Sequence, residues 1–254
     1  MKMDFLAHAN SDFSNSEIFL GYYTNKENID RLKSLIQGVS WEVFIPLKAK
    51  IYEHQDNFDF DEKFFDKNKK YAFFTDFHDK TFYLFNYFKK YTDLKLLMFD
   101  AHPDCFDDHR DVNYQNFVRH LIERGTLKPD RLMIVGIRNY SEDEIEFLNN
   151  YNIKYIESYD FFEEPNHWTK VIQDFVNDSP TYVSIDLDVM TSEHTNWFEP
   201  FGIDATEILK ILKKINNFIF VIDFTEGKLT KNDTPIWKVS YYMFCYIAKL
   251  WCKK

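Results

Sequence analysis

Three side chains of metal-binding type alternate in the segment Asp-Ala-His-Pro-Asp at residues 100–104, which follows the apolar run Leu94–Phe99. In an extended chain alternate side chains point the same way, so Asp100, His102 and Asp104 can converge just past the end of a strand. Without a cation the carboxylates would repel each other, and at least one carboxyl pKa would rise. The pattern therefore indicates a bound divalent metal, against the alternative of a polar turn with two solvated aspartates.

Side chains of the same types follow three other short apolar runs. The carboxyl ends of parallel strands meet at one edge of a sheet, where open α/β folds bind their ligands. One strand that ends in acidic or imidazole side chains is common, but four such strand ends on one edge are hard to explain as solvated surface. The further candidates are His78 after Tyr71–Thr75, Asp186 and Asp188 after Thr181–Ile185, and Asp223 and Glu226 after Phe218–Ile222.

The elements that must position these residues alternate between short apolar runs and longer amphipathic segments. This alternation predicts an α/β fold with a mainly parallel sheet and helices on both faces. The predicted strands are Met3–Ala7, Trp41–Leu47, Tyr71–Thr75, Leu94–Phe99, Arg131–Ile137, Ile153–Ile156, Thr181–Val189 and Phe218–Phe224. The predicted helices are Lys26–Gln37, Lys80–Tyr91, Asn113–Arg124, Ser141–Asn149 with a capping box, Trp168–Val176, Ala205–Ile215 and Trp237–Trp251.

The composition describes an acidic chain. Its 254 residues include 41 acidic and 31 basic side chains, a formal charge of −10, which disfavours nucleic acid and anionic membranes as partners. Its three cysteines do not make a disulfide framework and fit a reducing compartment. The sequence shows no leader with an apolar core and no bilayer-length apolar run, so we expect a cytoplasmic protein. It indicates no oligomeric state.

Two histidines and four aspartates form the candidate ligand set. A carboxylate-rich set without thiolates suits Mn(II), with Fe(II), Co(II) or Zn(II) as alternatives. Six ligands exceed the needs of one small cation, so two ions bridged by carboxylates is the economical interpretation. Such a pair can hold a hydroxide as a nucleophile near neutral pH, and the predicted chemistry is hydrolysis.

Two segments resemble signatures of the arginase/agmatinase (ureohydrolase) superfamily. Residues 100–104 are similar to its Asp-Ala-His-x-Asp element, and Ser-Ile-Asp-Leu-Asp at 184–188 is similar to its Ser-x-Asp-x-Asp element. The segments 121–125 and 132–138 and the spacing of Asp223 and Glu226 also match, so the resemblance covers roughly residues 71–228. It implies a three-layer α/β/α arginase-like domain over residues 1–254, of which 1–70 form a divergent N-terminal part.

The resemblance also implies roles for individual residues. Asp104 and Glu226 become candidate catalytic residues, and Glu226 would hold a substrate guanidinium through a charge-assisted contact. Asp223 would either help to bind substrate or support the site from behind. For two Mn(II) ions, the implied ligands are His78, Asp100, Asp104 and Asp186 for one ion and His102 and Asp188 for the other, with Asp100 and Asp186 bridging.

The chain departs from the family pattern in several places. The family's Gly-Gly-Asp-His-Ser element is replaced by residues 74–79, where one residue separates the aspartate from His78. The family's Asp-Pro and Gly-Thr-Gly elements are absent from residues 189–202. No histidine stands near residues 113–114, where arginases carry a proton shuttle. The candidates to replace it are His109, His120 and His194.

The function implied by the resemblance is hydrolysis of a guanidino group to urea and an amine. No residues match those that hold the α-amino and α-carboxyl groups of free arginine. We therefore favour an arginine within a peptide, converted to ornithine, ahead of free arginine or agmatine. A metal-dependent amidohydrolase such as a deacylase, and a non-catalytic metal-binding homologue, stay open as alternatives. Metallophosphoesterase chemistry is weaker, because no Gly-Asn-His-Asp-like element accompanies the Asp-x-His.

Overall fold

The structure, a computed structural model, describes residues 69–75, 77–108, 110–191 and 200–226, the backbone of three N-terminal strands, and five helical residues near the C-terminus. The strands are β1 Met3–Asp4, β2 Ile18–Tyr23, β3 Lys48–Tyr52, β4 Lys70–Thr75, β5 Lys95–Phe99, β6 Leu132–Ile137, β7 Lys154–Glu157, β8 Thr181–Asp186 and β9 Ile219–Thr225. The helices are α1 Asp79–Lys89, α2 Phe117–Glu123, α3 Glu142–Asn150, α4 Ser158–Glu163, α5 Pro165–Val176 and α6 Ala205–Ile215.

The described strands form one sheet in the order β1-β3-β2-β4-β9-β8-β5-β6-β7. Within it, β1 pairs with β3 in antiparallel orientation, and each of the other described pairs is parallel. The prediction of a mainly parallel α/β sheet is confirmed. Parallel pairing brings the carboxyl ends of the central strands to a single edge, which is the condition for the predicted site.

Each central strand is buried on both faces, and its alternate side chains divide between two apolar cores. Leu97 and Phe99 of β5 enter the core that α5 and α6 close. Leu96 and Met98 of the same strand enter the core that α1, α2 and α3 close. Since a strand alternates its side chains between faces, two cores on one strand mean helices on both sides of the sheet. The three-layer prediction is therefore also confirmed.

Several element boundaries differ from the predicted ones. The helix predicted from Asn113 begins at Phe117, because the side chains of Asn113 and Asn116 hold the preceding residues in a turn. The Asn116 amide oxygen accepts from Asn113 N at 2.8 Å, and the Asn113 oxygen accepts from Gln115 N at 2.9 Å. Such local bonds compete with helical ones. Helix α5 begins three residues before the predicted Trp168, and helix α4 was not predicted.

Two strand ends near the site were also predicted wrongly. Strand β8 stops at Asp186 and not at Val189, because residues 187–189 form a single 3₁₀ turn. Strand β9 ends at Thr225, one residue beyond the predicted Phe224, so Asp223 lies inside the strand although it follows the apolar run 218–222. Strands β2 and β3 were not predicted, and the predicted elements at residues 26–37 and 41–47 lie outside the described residues. No helix in the described part of the chain is long and apolar enough to cross a membrane.

Candidate metal centre

The strands that carry the candidate ligands are neighbours in the sheet, in the order β4-β9-β8-β5. Asp100 directly follows β5, Asp186 ends β8, and Glu226 directly follows β9. His78 lies in the short turn between β4 and α1. The sheet order therefore places these side chains side by side at one edge, although they come from distant parts of the chain.

His78 is the centre of the first ligand group. Its Nδ1 atom lies 2.8 Å from Oδ2 of Asp104, 2.9 Å from Oδ2 of Asp100 and 3.3 Å from Oδ2 of Asp186. All four side chains are buried. The extra residue between Asp76 and His78 does not keep the imidazole away from the cluster, although Asp76 itself lies outside the described residues.

His102 is the centre of the second group, and Asp100 belongs to both. The Nδ1 atom of His102 lies 2.9 Å from Oδ2 of Asp188 and 3.6 Å from Oδ1 of Asp100. The candidate ligand atoms of His78, Asp100 and Asp104 lie within 4.8 Å of one another, and so do those of Asp100, His102 and Asp188. Asp100 turns one carboxylate oxygen toward each histidine, which is the arrangement that a bridging ligand needs.

The two signature segments converge through turns and not through an extended strand. Residues 101–102 form a bend, in which the amide of His102 donates to Oδ1 of Asp100 at 2.7 Å. Asp104 has a left-handed backbone with φ 51°, a conformation that is costly for a residue with a side chain. In the second segment, the amide of Asp188 donates to Oδ1 of Asp186 at 2.9 Å. The predicted alternation along a strand is therefore wrong in its geometry, although the predicted residues do come together.

Burial and mutual repulsion govern the charges of the cluster. For Asp104, burial and the negative charge of Asp100 raise the pKa to about 8. Burial and the neighbouring aspartates also raise the pKa values of Asp186 and Asp188. Asp100 behaves differently: burial opposes its ionisation, but contacts with the two histidines lower its pKa to about 2. In the absence of a metal, the protein therefore holds protons on groups that a divalent ion would require to be free of them.

The residues fit a divalent metal. Nδ1 of His78 and Oδ2 of Asp100 are buried and have no hydrogen-bond partner among the described residues, although they face each other at 2.9 Å. A buried polar atom without a partner is costly, and a cation between these atoms would remove the cost. Imidazole nitrogens with carboxylate oxygens are ligands that first-row divalent ions accept.

A chain of buried hydroxyl groups lies behind His78. Its Nε2 atom is 2.9 Å from Oγ of Ser184, and Ser184 donates to Oδ1 of Asp223 at 2.6 Å. The other oxygen of Asp223 accepts from Thr81 at 2.8 Å and from the phenol of Tyr182. Both carboxylate oxygens are thus occupied and Asp223 is fully buried. Of the two roles considered for Asp223, this position favours support of the site over contact with substrate.

Glu226 lies at the edge of the first group. Its Oε1 atom accepts a hydrogen bond of 3.1 Å from the backbone amide of His78, and its backbone is left-handed with φ 61°. The carboxylate is therefore held next to the candidate ligands. This placement is compatible with the guanidinium-binding role implied by the sequence.

Several supporting residues were missed. Arg138 donates to the carbonyl oxygens of Asp188 at 2.5 Å and Val189 at 3.4 Å, which holds the turn that carries Asp188. The amide nitrogen of Asn139 lies 3.2 Å from Nε2 of His102. Arg138 lies in the segment 132–138, which resembles the superfamily, and this resemblance could have pointed to it. No such signal was available for Asn139, because its contact with His102 depends on the pairing of β6 with β5 in the folded sheet.

His120, one of the shuttle candidates, and Cys105 have plain structural roles. His120 contacts the carbonyl oxygen of Arg110 through Nε2 at 3.2 Å and is in neither ligand group. The other two shuttle candidates, His109 and His194, lie outside the described residues. Cys105 is buried, and burial followed by the charge of Glu144 raises the pKa of its thiol, so the thiol stays protonated.

Fold and site together define an α/β protein with a paired carboxylate–imidazole cluster at the carboxyl edge of its parallel sheet. A profile of the Arginase family matches residues 78–230 of this chain. Because the match includes more than half of the 254 residues and every candidate ligand, the chain belongs to the Arginase family.

Individual relatives are more distant. The chain is 30% identical over 141 residues to an uncharacterized 32.2 kDa protein of Methanothermus fervidus, which is 53% of this chain and 48% of that protein. It is 35% identical over 103 residues to a guanidinopropionase of Pseudomonas aeruginosa, which is 38% of this chain and 32% of that enzyme. In these matches the chain spans about half or less of the length of the curated relatives.

Among solved structures, the agmatine ureohydrolase of Thermoplasma volcanium is similar with a TM-score of 0.73. The alignment covers 100% of this chain and 97% of that chain, at 16% sequence identity. At this identity, the likeness shows a shared fold.

Proposed function

We propose that this protein hydrolyses a guanidino group to urea and an amine with the help of two divalent metal ions, Mn(II) in the first instance. The observation that supports the proposal most directly is the pair of ligand groups that share Asp100. A single-metal amidohydrolase, such as a deacylase, would not need the second group around His102. Membership of the Arginase family supports the same choice of chemistry.

Each candidate residue has a defined task in this proposal. His78, Asp104 and Asp186 would hold the first ion, His102 and Asp188 would hold the second, and Asp100 and Asp186 would be shared by both. The bound ions would supply an activated water and Lewis acidity toward the substrate. Glu226, oriented by the amide of His78, accepts hydrogen bonds from the substrate guanidinium. This contact would place the guanidinium carbon beside the metal pair, which is the positioning that hydrolysis requires.

Among guanidino compounds, we favour an arginine within a peptide, ahead of agmatine and free arginine. The support is the lack of residues in this sequence that match those for the α-amino and α-carboxyl groups of free arginine. The relatives carry names of enzymes for smaller guanidino compounds, guanidinopropionate and agmatine. A peptide-bound arginine shares with them the guanidino group that Glu226 would hold.

The test is urea release by the Mn(II)-loaded protein from an arginine-containing peptide, agmatine, free arginine and guanidinopropionate in parallel. Urea from at least one of them is the expected result. Glu226→Gln should raise KM by about tenfold or more, since a buried charge-assisted contact is lost. Metal content, measured in the same samples, must stay at two ions per chain. Complete loading without urea from any substrate would overturn the proposal.

A further inference from the structure

The exposed aromatic side chains of the described residues are concentrated at the edge of the sheet that carries the metal centre. Among the described residues, nine large aromatic side chains are exposed. Six of them lie in connections that leave the carboxyl ends of strands: Phe106, Tyr114, Tyr140, Tyr159, Phe162 and Phe201. Tyr91 and Tyr151, by contrast, follow the ends of helices α1 and α3, where the chain returns to the opposite edge. A concentration of exposed apolar groups at one edge indicates a contact surface.

Helix α4 and the residue Phe201 form the most exposed part of this edge. Phe162 and Phe201 are each 82% exposed, and Tyr159 is 63% exposed. The hydroxyl of Ser158 at the start of α4 donates to the carbonyl oxygen of Phe201, which joins the two segments. We call Tyr159, Asp160, Phe162, Glu163 and Phe201 the α4 surface.

The α4 surface is connected to the metal centre through described contacts. On one side, Asn139 contacts His102, and the phenol of the next residue, Tyr140, lies 3.4 Å from Oε1 of Glu157, which directly precedes α4. On the other side, Ile203 pairs with the segment after Asp188, because its amide donates to Val189 O at 2.9 Å. The α4 surface therefore lies at the same edge of the sheet as the second ligand group and is joined to it by these contacts.

The charge of the α4 surface selects a cationic partner. Residues 155–169 contain four carboxylates, at Glu157, Asp160, Glu163 and Glu164, and no lysine or arginine. A second copy of the chain, with its formal charge of −10, would bring like charges together on this surface. An arginine-containing basic peptide would instead pair with the carboxylates, and guanidinium groups stack on exposed aromatic rings.

We infer that the α4 surface is the docking site for the peptide that carries the substrate arginine, and that it binds basic residues flanking that arginine. The inference rests on the proposed guanidino hydrolysis and adds to it a surface that holds the rest of the peptide. The inference distinguishes two kinds of substrate. The α4 surface should contribute to the binding of peptides and not of agmatine, which is too small to reach beyond the metal centre.

The kinetic test compares two substrates of the Mn(II)-loaded protein, agmatine and a blocked nonapeptide with a central arginine between lysines. The variant Tyr159→Ser with Phe162→Ser should raise KM for the peptide by about fivefold, the size expected for lost ring contacts with cations. Its kcat and KM for agmatine should not change. Asp160→Asn with Glu163→Gln should act in the same direction and lose its effect at high salt.

The matched control is Tyr151→Ser, which removes a tyrosine that is 40% exposed at the opposite edge. It should leave both substrates unaffected. An equal change of KM for both substrates in the α4 variants, or no change for the peptide, would overturn the inference.

A binding measurement separates this inference from the proposed function. The probe is a fluorescein-labelled peptide with citrulline in place of the central arginine, titrated with the Mn(II)-loaded protein and followed by anisotropy. Binding that the α4 variants weaken supports docking, even if no guanidino compound yields urea. Absence of binding to the unaltered protein overturns docking, even if agmatine is hydrolysed. A dimer that the α4 variants convert to monomer would assign the surface to a second copy and overturn the inference as well.

Discussion

The hydroxyl oxygen of Ser184 lies 2.9 Å from Nε2 of His78, and this contact determines which nitrogen of the imidazole faces the carboxylate cluster as a ligand. Burial raises the pKa of Asp223, and three hydroxyl groups hydrogen-bond its carboxylate. When Asp223 is ionised it can only accept, so Ser184 gives it its single hydroxyl hydrogen across 2.6 Å. Ser184 can then only accept from His78, whose proton must stay on Nε2. In the neutral imidazole, Nδ1 is left with a lone pair that points at Asp100 and Asp104.

Removal of the Ser184 hydroxyl should weaken metal binding without touching a ligand. Ser184→Ala leaves Nε2 of His78 and one oxygen of Asp223 without their partner, so the preferred tautomer and the ring orientation are both lost. We expect a loss of about 10- to 100-fold in affinity for Mn(II), the usual effect of removing a group that orients a metal ligand. Titration calorimetry of the metal-free protein measures it.

Thr225→Val is the matched control. The hydroxyl of Thr225 is also buried at this edge of the sheet, but it has no hydrogen-bond partner among the described residues. Its removal should leave the affinity for Mn(II) unchanged, and thermal stability should be equal or slightly higher. If both variants lost the same affinity, the chain from Asp223 to His78 would have no orienting role.

The shared position of Asp100 predicts different metal contents for two substitutions. Asp100→Asn weakens both ligand groups, because one oxygen faces each histidine. His102→Asn affects only the second group. After removal of loosely bound metal on a desalting column, elemental analysis should find less than one ion per chain in Asp100→Asn and about one in His102→Asn. Two ions retained in Asp100→Asn would contradict a bridging role.

From the sequence alone, the convergence of the candidate ligands could be predicted better than their geometry. Asp100, Asp104, Asp186 and Asp188 could be identified because acidic side chains at the ends of apolar strands are rarely without a function in parallel sheets. Their turns could not be predicted. Asp104 has a left-handed backbone, which is uncommon for a residue with a side chain, and the 3₁₀ turn at Asp188 depends on the hydrogen bond from its amide to Asp186.

Supporting contacts could not be predicted for a different reason. Asp223 lies three positions before Glu226, and the sequence did not separate their roles. Only the pairing of β8 with β9 places the Asp223 carboxylate against Ser184, inside the sheet. Contacts that depend on strand order, such as this one, have no signal in a single sequence.

Metal affinity should fall as the pH is lowered. In the metal-free protein the pKa of Asp104 is about 8, and neighbouring carboxylates raise the pKa of His78 and His102 although burial alone would lower it. These groups therefore hold protons near neutral pH, and a metal ion must displace them. Affinity for Mn(II) should thus decrease steadily from about pH 8 to about pH 6, with protons released on binding.

Calorimetry in buffers with different ionisation enthalpies measures both quantities. The observed binding enthalpy should depend on the buffer, with a slope that gives the number of released protons. The titration with Mn(II) is compared with a reference titration with Ca(II), a divalent ion that prefers oxygen ligands. Equal Mn(II) affinity across the range, with no buffer dependence, would show that the ligands are already unprotonated in the metal-free protein.

Gly136 of β6 packs tightly against residues next to the metal centre, and its replacement should destabilise the fold. Its φ is 101°, and an added Cβ would lie 2.5 Å from a methyl group of Val189 and 3.3 Å from the carbonyl oxygen of Asp100. Gly136→Ala therefore combines backbone strain with a clash, and we expect a loss of about 2–4 kcal/mol in the free energy of unfolding.

Gly125 separates the two effects, because its φ is 68° but no atom lies within 4 Å of an added Cβ. Gly125→Ala should cost only about 1 kcal/mol. Urea denaturation of the metal-free proteins compares the two variants. An equal loss of unfolding free energy in both would mean that Val189 and Asp100 can move away from the added methyl group without destabilising the fold.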